Sequence, residues 1–173
     1  SAATDDSTPA DTVLMTEIER NDYRNAITAL NNNKLDLAES ILKEILKNRK
    51  DVAGPWANLG LVYVKKNDIP QATKALESAL QINPKQPYAL NLMGVIEYNQ
   101  GNVQKAVEYY AAAALNKPDY ANAHYNLALV YDIFYQDIPK AVEHYQQYME
   151  LTNHQDKETE VWLQQLASSL KPQ

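Results

Sequence analysis

The sequence predicts an all-α chain, about four helix-turn-helix units stacked into a superhelix and closed by one further helix. Three observations predict it. Residues of matching size recur every 34 positions from Trp56 onward. Only four glycines occur in 173 residues, too few for a fold built on hairpin turns. Asp-Ile-Pro and lone prolines stand where second helices would begin and end.

The central unit has the spaced set Trp56, Leu59, Gly60, Tyr63, Ala72, Leu76, Ala79 and Pro84. One period on stand Leu90, Met93, Gly94, Glu97, Ala106, Tyr110, Ala113 and Pro118, of which only Glu97 loses the apolar, small or proline character. His124, Leu127, Ala128 and Tyr131 follow; one extra residue then enters, and Ala141, Tyr145 and Tyr148 continue the set shifted by one. A weaker copy precedes it in Asn25, Ala26, Ala29, Ala38, Leu42 and Ile45. The units are 19–52, 53–86, 87–120 and 121–155, between a polar leader over 1–13 and a capping helix and tail over 156–173.

Each element has a physical reason. Gly60, Gly94, Ala128 and Ala26 recur where two helices of one unit cross, and Ala72, Ala106, Ala141 and Ala38 do so on the second helix; small side chains permit close packing. Tyr63, Tyr131, Leu76, Tyr110 and Tyr145 are expected to fill the space between units. Asp68 and Asp137, each before Ile-Pro, are expected N-caps, with Asn102 and Asn33 in similar positions. Thr8-Pro9 is expected to open a longer first helix running toward Asn31. Val161, Trp162, Leu166 and Leu170 are expected on one face of the last helix, covering the final unit. A four-helix bundle or an armadillo-like solenoid explains the in-phase repetition less well.

Composition narrows the function classes. Hydrophobic residues are 45% and charged residues 22%, ordinary for a folded protein. The net charge of −6 and a pI near 5.0 show no basic stripe of the kind nucleic acid or an anionic membrane requires. Without cysteine there are no disulfides or thiolate sites, and no apolar run is long enough to span a bilayer. The Ser/Thr/Asp-rich leader suits two readings: the tether left after an export signal is removed, or a mere boundary.

The run Trp56-Ala57-Asn58-Leu59-Gly60-Leu61-Val62-Tyr63, with Ala72, Leu76 and Pro84, resembles the tetratricopeptide-repeat family, whose pattern is W-x2-L-G-x2-Y, then A-x3-F, then P. The resemblance covers roughly four-fifths of the chain and implies a right-handed superhelix whose first helices line a concave groove. Family ligand positions carried over give Tyr23 and Arg24, with Arg20 and Ile27; Asn58, Leu61 and Lys65, with Val64; Tyr88, Asn91, Leu92, Val95 and Tyr98, with Asn99; and Asn122, Tyr125, Asn126 and Leu129, with Asp132. Asn offers a donor and an acceptor to an extended main chain, and Tyr adds apolar area with a polar tip; the Tyr residues, Asn58 and Asn126 also suit simple packing between first helices. The family's chaperone-binding carboxylate clamp of Lys, Asn, Asn, Lys and Arg is not matched. Its positions hold Tyr23, Ile27, Asn58, Tyr88 and Leu92, or one unit on Ala57, Leu61, Leu92, Asn122 and Asn126.

No reactive constellation is legible. His124, His144 and His154 lie far apart in the repeat scheme, in no metal-ligand spacing, and no serine stands in a triad motif. No enzyme activity, metal or cofactor is expected. Phe134-Tyr135 beside the inserted residue suits an extra contact patch or closure of the hairpin. The Ala111–Ala114 run suits a smooth docking strip or a plain helix.

The functional expectation is a non-catalytic scaffold that binds a protein or peptide partner in the groove, as a monomer or weak homo-oligomer. It has no nucleic-acid partner and no membrane span. The likeness to small bacterial lipoprotein and periplasmic members of the family places it in envelope assembly (pilus, secretion or cytochrome biogenesis), with a lipid anchor upstream of Ser1 as an option and the cytoplasm as the alternative. A self-assembling structural protein, or a carrier of a small ligand or glycan in the groove, are the competing functions.

Overall fold

The computed structural model describes residues 15–170. The leader and the Thr8-Pro9 helix start therefore lie outside the described residues. Nine α-helices run through the described part: α1 Glu17–Asn31, α2 Leu35–Asn48, α3 Ala53–Lys65, α4 Ile69–Ile82, α5 Pro87–Asn99, α6 Val103–Asn116, α7 Ala121–Leu129, α8 Ile138–Leu151 and α9 Lys157–Ser169. They pair as α1–α2, α3–α4, α5–α6 and α7–α8, with α9 behind the last pair. No described helix is long and apolar enough to cross a membrane. This is the all-α repeat solenoid predicted above. Beyond consecutive helices, the main contacts are α1 with α3 and α3 with α5. First helices therefore crowd together, and the layer they form is the inner one.

Helix ends follow local chemistry, with corrections. The described first helix begins at Glu17 behind a capping box: Glu19 N–H donates to Thr16 Oγ1 at 3.2 Å, and Thr16 N–H donates to the Glu19 carboxylate at 2.7 Å. That bond, with Arg49 beside it, holds the Glu19 carboxyl below its ordinary range. Asp68 and Asp137 do cap α4 and α8, accepting from Gln71 N and Lys140 N. Asn102 occupies the cap position of α6 without capping, because its amide donates to Glu97 at 2.7 Å. Asn33 is not a cap; Lys34 takes that place.

Asn33 instead belongs to a second, unforeseen series. Asn33, Asn67, Gly101 and Gln136 all have positive φ (56°, 59°, 85° and 52°), each one residue before the next helix's cap position. The following N–H reaches five residues back, as in Lys34 to Ala29 O and Asp68 to Tyr63 O, both at 2.8 Å; this is the Schellman exit. In the fourth unit Asp137 N–H reaches six back, to Tyr131 O. The inserted residue is absorbed by a π-helical turn over Val130–Phe134, which keeps the exit intact. Gln136 lacks both the freedom of Gly and the local bonding of Asn in this conformation. Gln136→Gly is expected to raise stability by about 0.5–1 kcal/mol, read as a higher urea midpoint; no gain means the strain is relieved elsewhere.

The core of the described residues is built of small and large pairs in four clusters. Leu76 lies against Gly60 and Tyr110 against Gly94 inside their own units, and both belong to clusters that reach into the next unit, through Ala89 and Leu92 for Leu76 and through Leu127 and Val130 for Tyr110. The Ala111–Ala114 run is not a smooth open strip, since Ala113 is fully buried and Ala112 and Ala114 are half-buried. On α9 the inward residues are Thr159, Leu163 and Leu166. Val161 and Leu170 stay exposed, and Trp162 is 45% exposed, contrary to the single apolar face expected. Ile133, Phe134 and Tyr135 project from the π turn, with Phe134 57% exposed, so they do not close the hairpin.

Candidate protein-binding groove

The first helices carry the carried-over ligand positions, and packing divides those residues into two groups. Tyr23 (2% exposed), Asn91 (3%), Leu61 and Leu92 are buried between helices and do not present side chains to an open groove. This corrects their assignment. A register that turns a residue inward on an isolated helix also turns it toward the neighbouring first helix, and here the neighbour claims it. Tyr88 is half-buried, edge-on to Tyr120 with ring centroids 4.8 Å apart, and its hydroxyl is enclosed. Arg24, Lys65 and Asn99 are exposed; Asn58, Val95, Tyr98, Asn122, Tyr125, Asn126 and Leu129 are half-buried, with one side toward solvent.

The asparagines hold the wall together. The Asn58 amide donates to Tyr23 Oη at 2.5 Å and to Gly54 O at 3.3 Å, joining α3 to α1. Asn126 donates to Asn91 Oδ1 at 2.9 Å, and Asn91 donates to Tyr120 Oη at 3.3 Å, joining α7 to α5. Both Asn58 amide hydrogens are thus engaged within the protein. Asn58 and Asn126 keep their Oδ1 atoms as acceptors.

At the far end, Asp132 Oδ2 accepts from Trp162 Nε1 at 2.6 Å and from Tyr145 Oη at 3.2 Å, tying α9 across the end of α7. Burial, then the Asp132 charge, pushes the Tyr145 phenol well above its ordinary range. Tyr125 sits 4.8 Å from Tyr148, whose phenol is pushed up to about 12 by burial and by its bond to Asp156. The near end is cationic through exposed Arg24 and Lys65, the middle is aromatic and aliphatic, and the far end is closed by an engaged carboxylate.

Two features escaped the sequence. Gln86, fully buried, caps α5 through Oε1 to Tyr88 N at 2.7 Å and Ala89 N at 3.2 Å. A glutamine cap has no strong compositional signal, though the Gln-Pro step before an apolar run hinted at one. His124 and His144, expected far apart, are in contact, with Nδ1 atoms 3.3 Å apart. Among the described residues no group of three or more His, Cys, Asp or Glu converges to hold a metal ion.

Comparison with known proteins fits this architecture. The family model described as tetratricopeptide repeat matches three overlapping windows, residues 23–87, 57–121 and 91–154. The chain is 30% identical over 99 residues to the peroxisomal targeting signal receptor of Saccharomyces cerevisiae, covering 55% of this chain and 16% of that protein. The Candida glabrata receptor is 28% identical over 71 residues, covering 41% and 12%. The chain thus spans about a sixth or less of the curated relatives it matches. Among solved structures, Pseudomonas aeruginosa pilF superposes with a TM-score of 0.70 at 20% identity, over 91% of this chain and 78% of that one. A thermophilic repeat protein of Thermus thermophilus gives 0.70 at 19% identity, over 86% and 81%. MamA gives 0.62 at 20% identity, over 82% and 81%. These structures share the fold. The matched windows together run over most of the chain, in phase with the paired helices, and the chain belongs to the tetratricopeptide-repeat family, whose fold typically serves as a non-catalytic protein–protein interaction scaffold.

Proposed function

We propose that the chain holds an extended segment of a partner protein along the groove of α1, α3, α5 and α7, and that it does so in assembly of a bacterial envelope structure. The observation that carries the groove reading is the pair of asparagines, Asn58 and Asn126. Their amide groups are engaged within the wall while their oxygens remain to accept main-chain N–H groups. Val95, Tyr98, Tyr125 and Leu129, partly open around them, supply apolar contact area. Arg24 and Lys65 favour acidic residues at one end of the segment. The curated relatives are by name receptors of a targeting signal, which is in keeping with recognition of a peptide segment.

Envelope placement rests on the small polar leader and the lack of cysteine. It requires that the gene encode an export signal or lipobox directly before Ser1; a short cytosolic start in its place overturns the placement. The groove is tested with Arg24→Ala, Lys65→Ala and Asn122→Ala combined, which spares the asparagines that staple the helices. A partner captured from native extract is expected to bind this variant at least about tenfold more weakly, with melting unchanged. Equal capture moves the site off the groove.

A further inference from the structure

His124 near the start of α7 and His144 on α8 meet with Nδ1 atoms 3.3 Å apart and ring centroids 5.6 Å apart. The difference is close to two ring radii, so the nitrogens point straight at each other. That is the geometry of an N–H···N hydrogen bond. A chelated ion would instead need the two lone pairs to converge at an angle on a third point. The proton positions follow. Pro118 O, 2.9 Å from His124 Nε2, can only accept, so that nitrogen carries hydrogen and His124 Nδ1 carries the lone pair. His144 Nδ1 must then be the donor, which leaves His144 Nε2 bare. Gln147 neighbours that ring.

The surroundings contribute little compensating charge. His124 is buried, and His144 is half-buried and stacked parallel to Tyr131 at 5.8 Å. On α8, Glu143 is the anion that acts on His144; Lys140 sits 5.0 Å over the Tyr131 ring and is paired with Asp137. On the loop before α7, Lys117 and Asp119 flank Pro118 as a pair at 3.3 Å.

We propose that His124 and His144 form an acid-responsive joint between α7, the loop before it, and α8. Full protonation of the pair removes the lone pair between the two Nδ1 atoms, sets donor against donor, and parts α7 from α8. Because α7 carries Asn122, Tyr125 and Asn126, the opening also loosens that half of the groove; this consequence, unlike the joint itself, rests on the groove reading.

Burial, then the charge of His124, lowers the His144 pKa below its ordinary value. The unfolded chain therefore takes up this proton first, near the ordinary histidine value of about 6.5. Stability from the neutral pair is full above that value, falls as the pH drops through it, and levels once the native pair is protonated too. Glu39, held at about 2 by Lys43 and Lys66, stays ionised throughout that window.

The test is thermal melting of wild type, His144→Phe and His154→Gln at about pH 7.5 and about pH 5. Phe keeps the stack on Tyr131 and cannot titrate. Wild type and His154→Gln are expected to lose about 3 °C more on acidification than His144→Phe. In case His144→Phe folds poorly, the second arm is NMR titration of the wild-type imidazoles, in which His144 should titrate below free histidine. An equal acid loss in His144→Phe, or a His144 midpoint at or above that of free histidine, overturns the proposal. Neither arm involves a partner, so the joint and the groove reading can fail separately.

Discussion

Gly94→Ala is expected to lower stability by roughly 2 kcal/mol, from overpacking alone. A Cβ at Gly94 would stand 2.5 Å from Tyr110 Cε1, 2.6 Å from Tyr110 Cδ1 and 3.2 Å from Ala106 O. The Tyr110 ring is flat, stiff and buried, and the carbonyl belongs to the α6 backbone, so relief requires moving one helix of the pair. Gly60 provides the contrast. There the Cβ meets Leu76 Cδ2 at 2.5 Å and Cγ at 2.7 Å, with Ala72 O farther off at 3.6 Å. A leucine end can rotate away, so Gly60→Ala should cost less. Gly101→Ala meets nothing within 4 Å, and only its φ of +85° opposes it, at about 1 kcal/mol. Urea midpoints at constant m-value rank the three. If Gly94→Ala costs no more than Gly101→Ala, close approach of α5 and α6 is not what holds that unit together.

Asn91→Ala is expected to cost about 1–3 kcal/mol, although Asn91 occupies a family ligand position. Its Oδ1 is the acceptor of the Asn126 amide and its amide donates to Tyr120 Oη, both in a site only 3% exposed. Truncation leaves the Asn126 donor without its partner between α5 and α7. Asn122→Ala, half-exposed and bonded to no described residue, should stay within about 0.5 kcal/mol. Denaturation of the two single variants separates wall from groove. Equal, small effects would mean that the amide chain contributes nothing to holding α7 on α5.

Much of the fold was legible because it is local and repeated. The period from Trp56 to Pro84 places a small residue opposite a large one in each unit, and Asp68 and Asp137 before Ile-Pro mark helix starts by their own hydrogen bonds. Where reading by analogy failed, a second group competed. Asn102 caps nothing because Glu97 takes its amide, and Asn33 supplies a left-handed residue to the turn instead of a cap. The α9 face differs from the expected one for a related reason: with no further described helix over Val161 and Leu170, apolar character alone does not say which side is buried.

The candidate site was legible only as a set of positions. Helical spacing assigns residues to the inner face of a first helix, but whether they meet solvent or a neighbour depends on how closely adjacent units approach. That distance is set by side chains far apart in sequence, such as Tyr23 with Asn58 and Asn91 with Asn126. Composition and in-phase repetition decide the family, the paired helices and the lack of thiol chemistry. The tertiary structure alone decided which groove positions became wall, how the inserted residue was absorbed into a π turn, and that His124 meets His144, because long-range packing and enclosure from water leave no local trace in the chain.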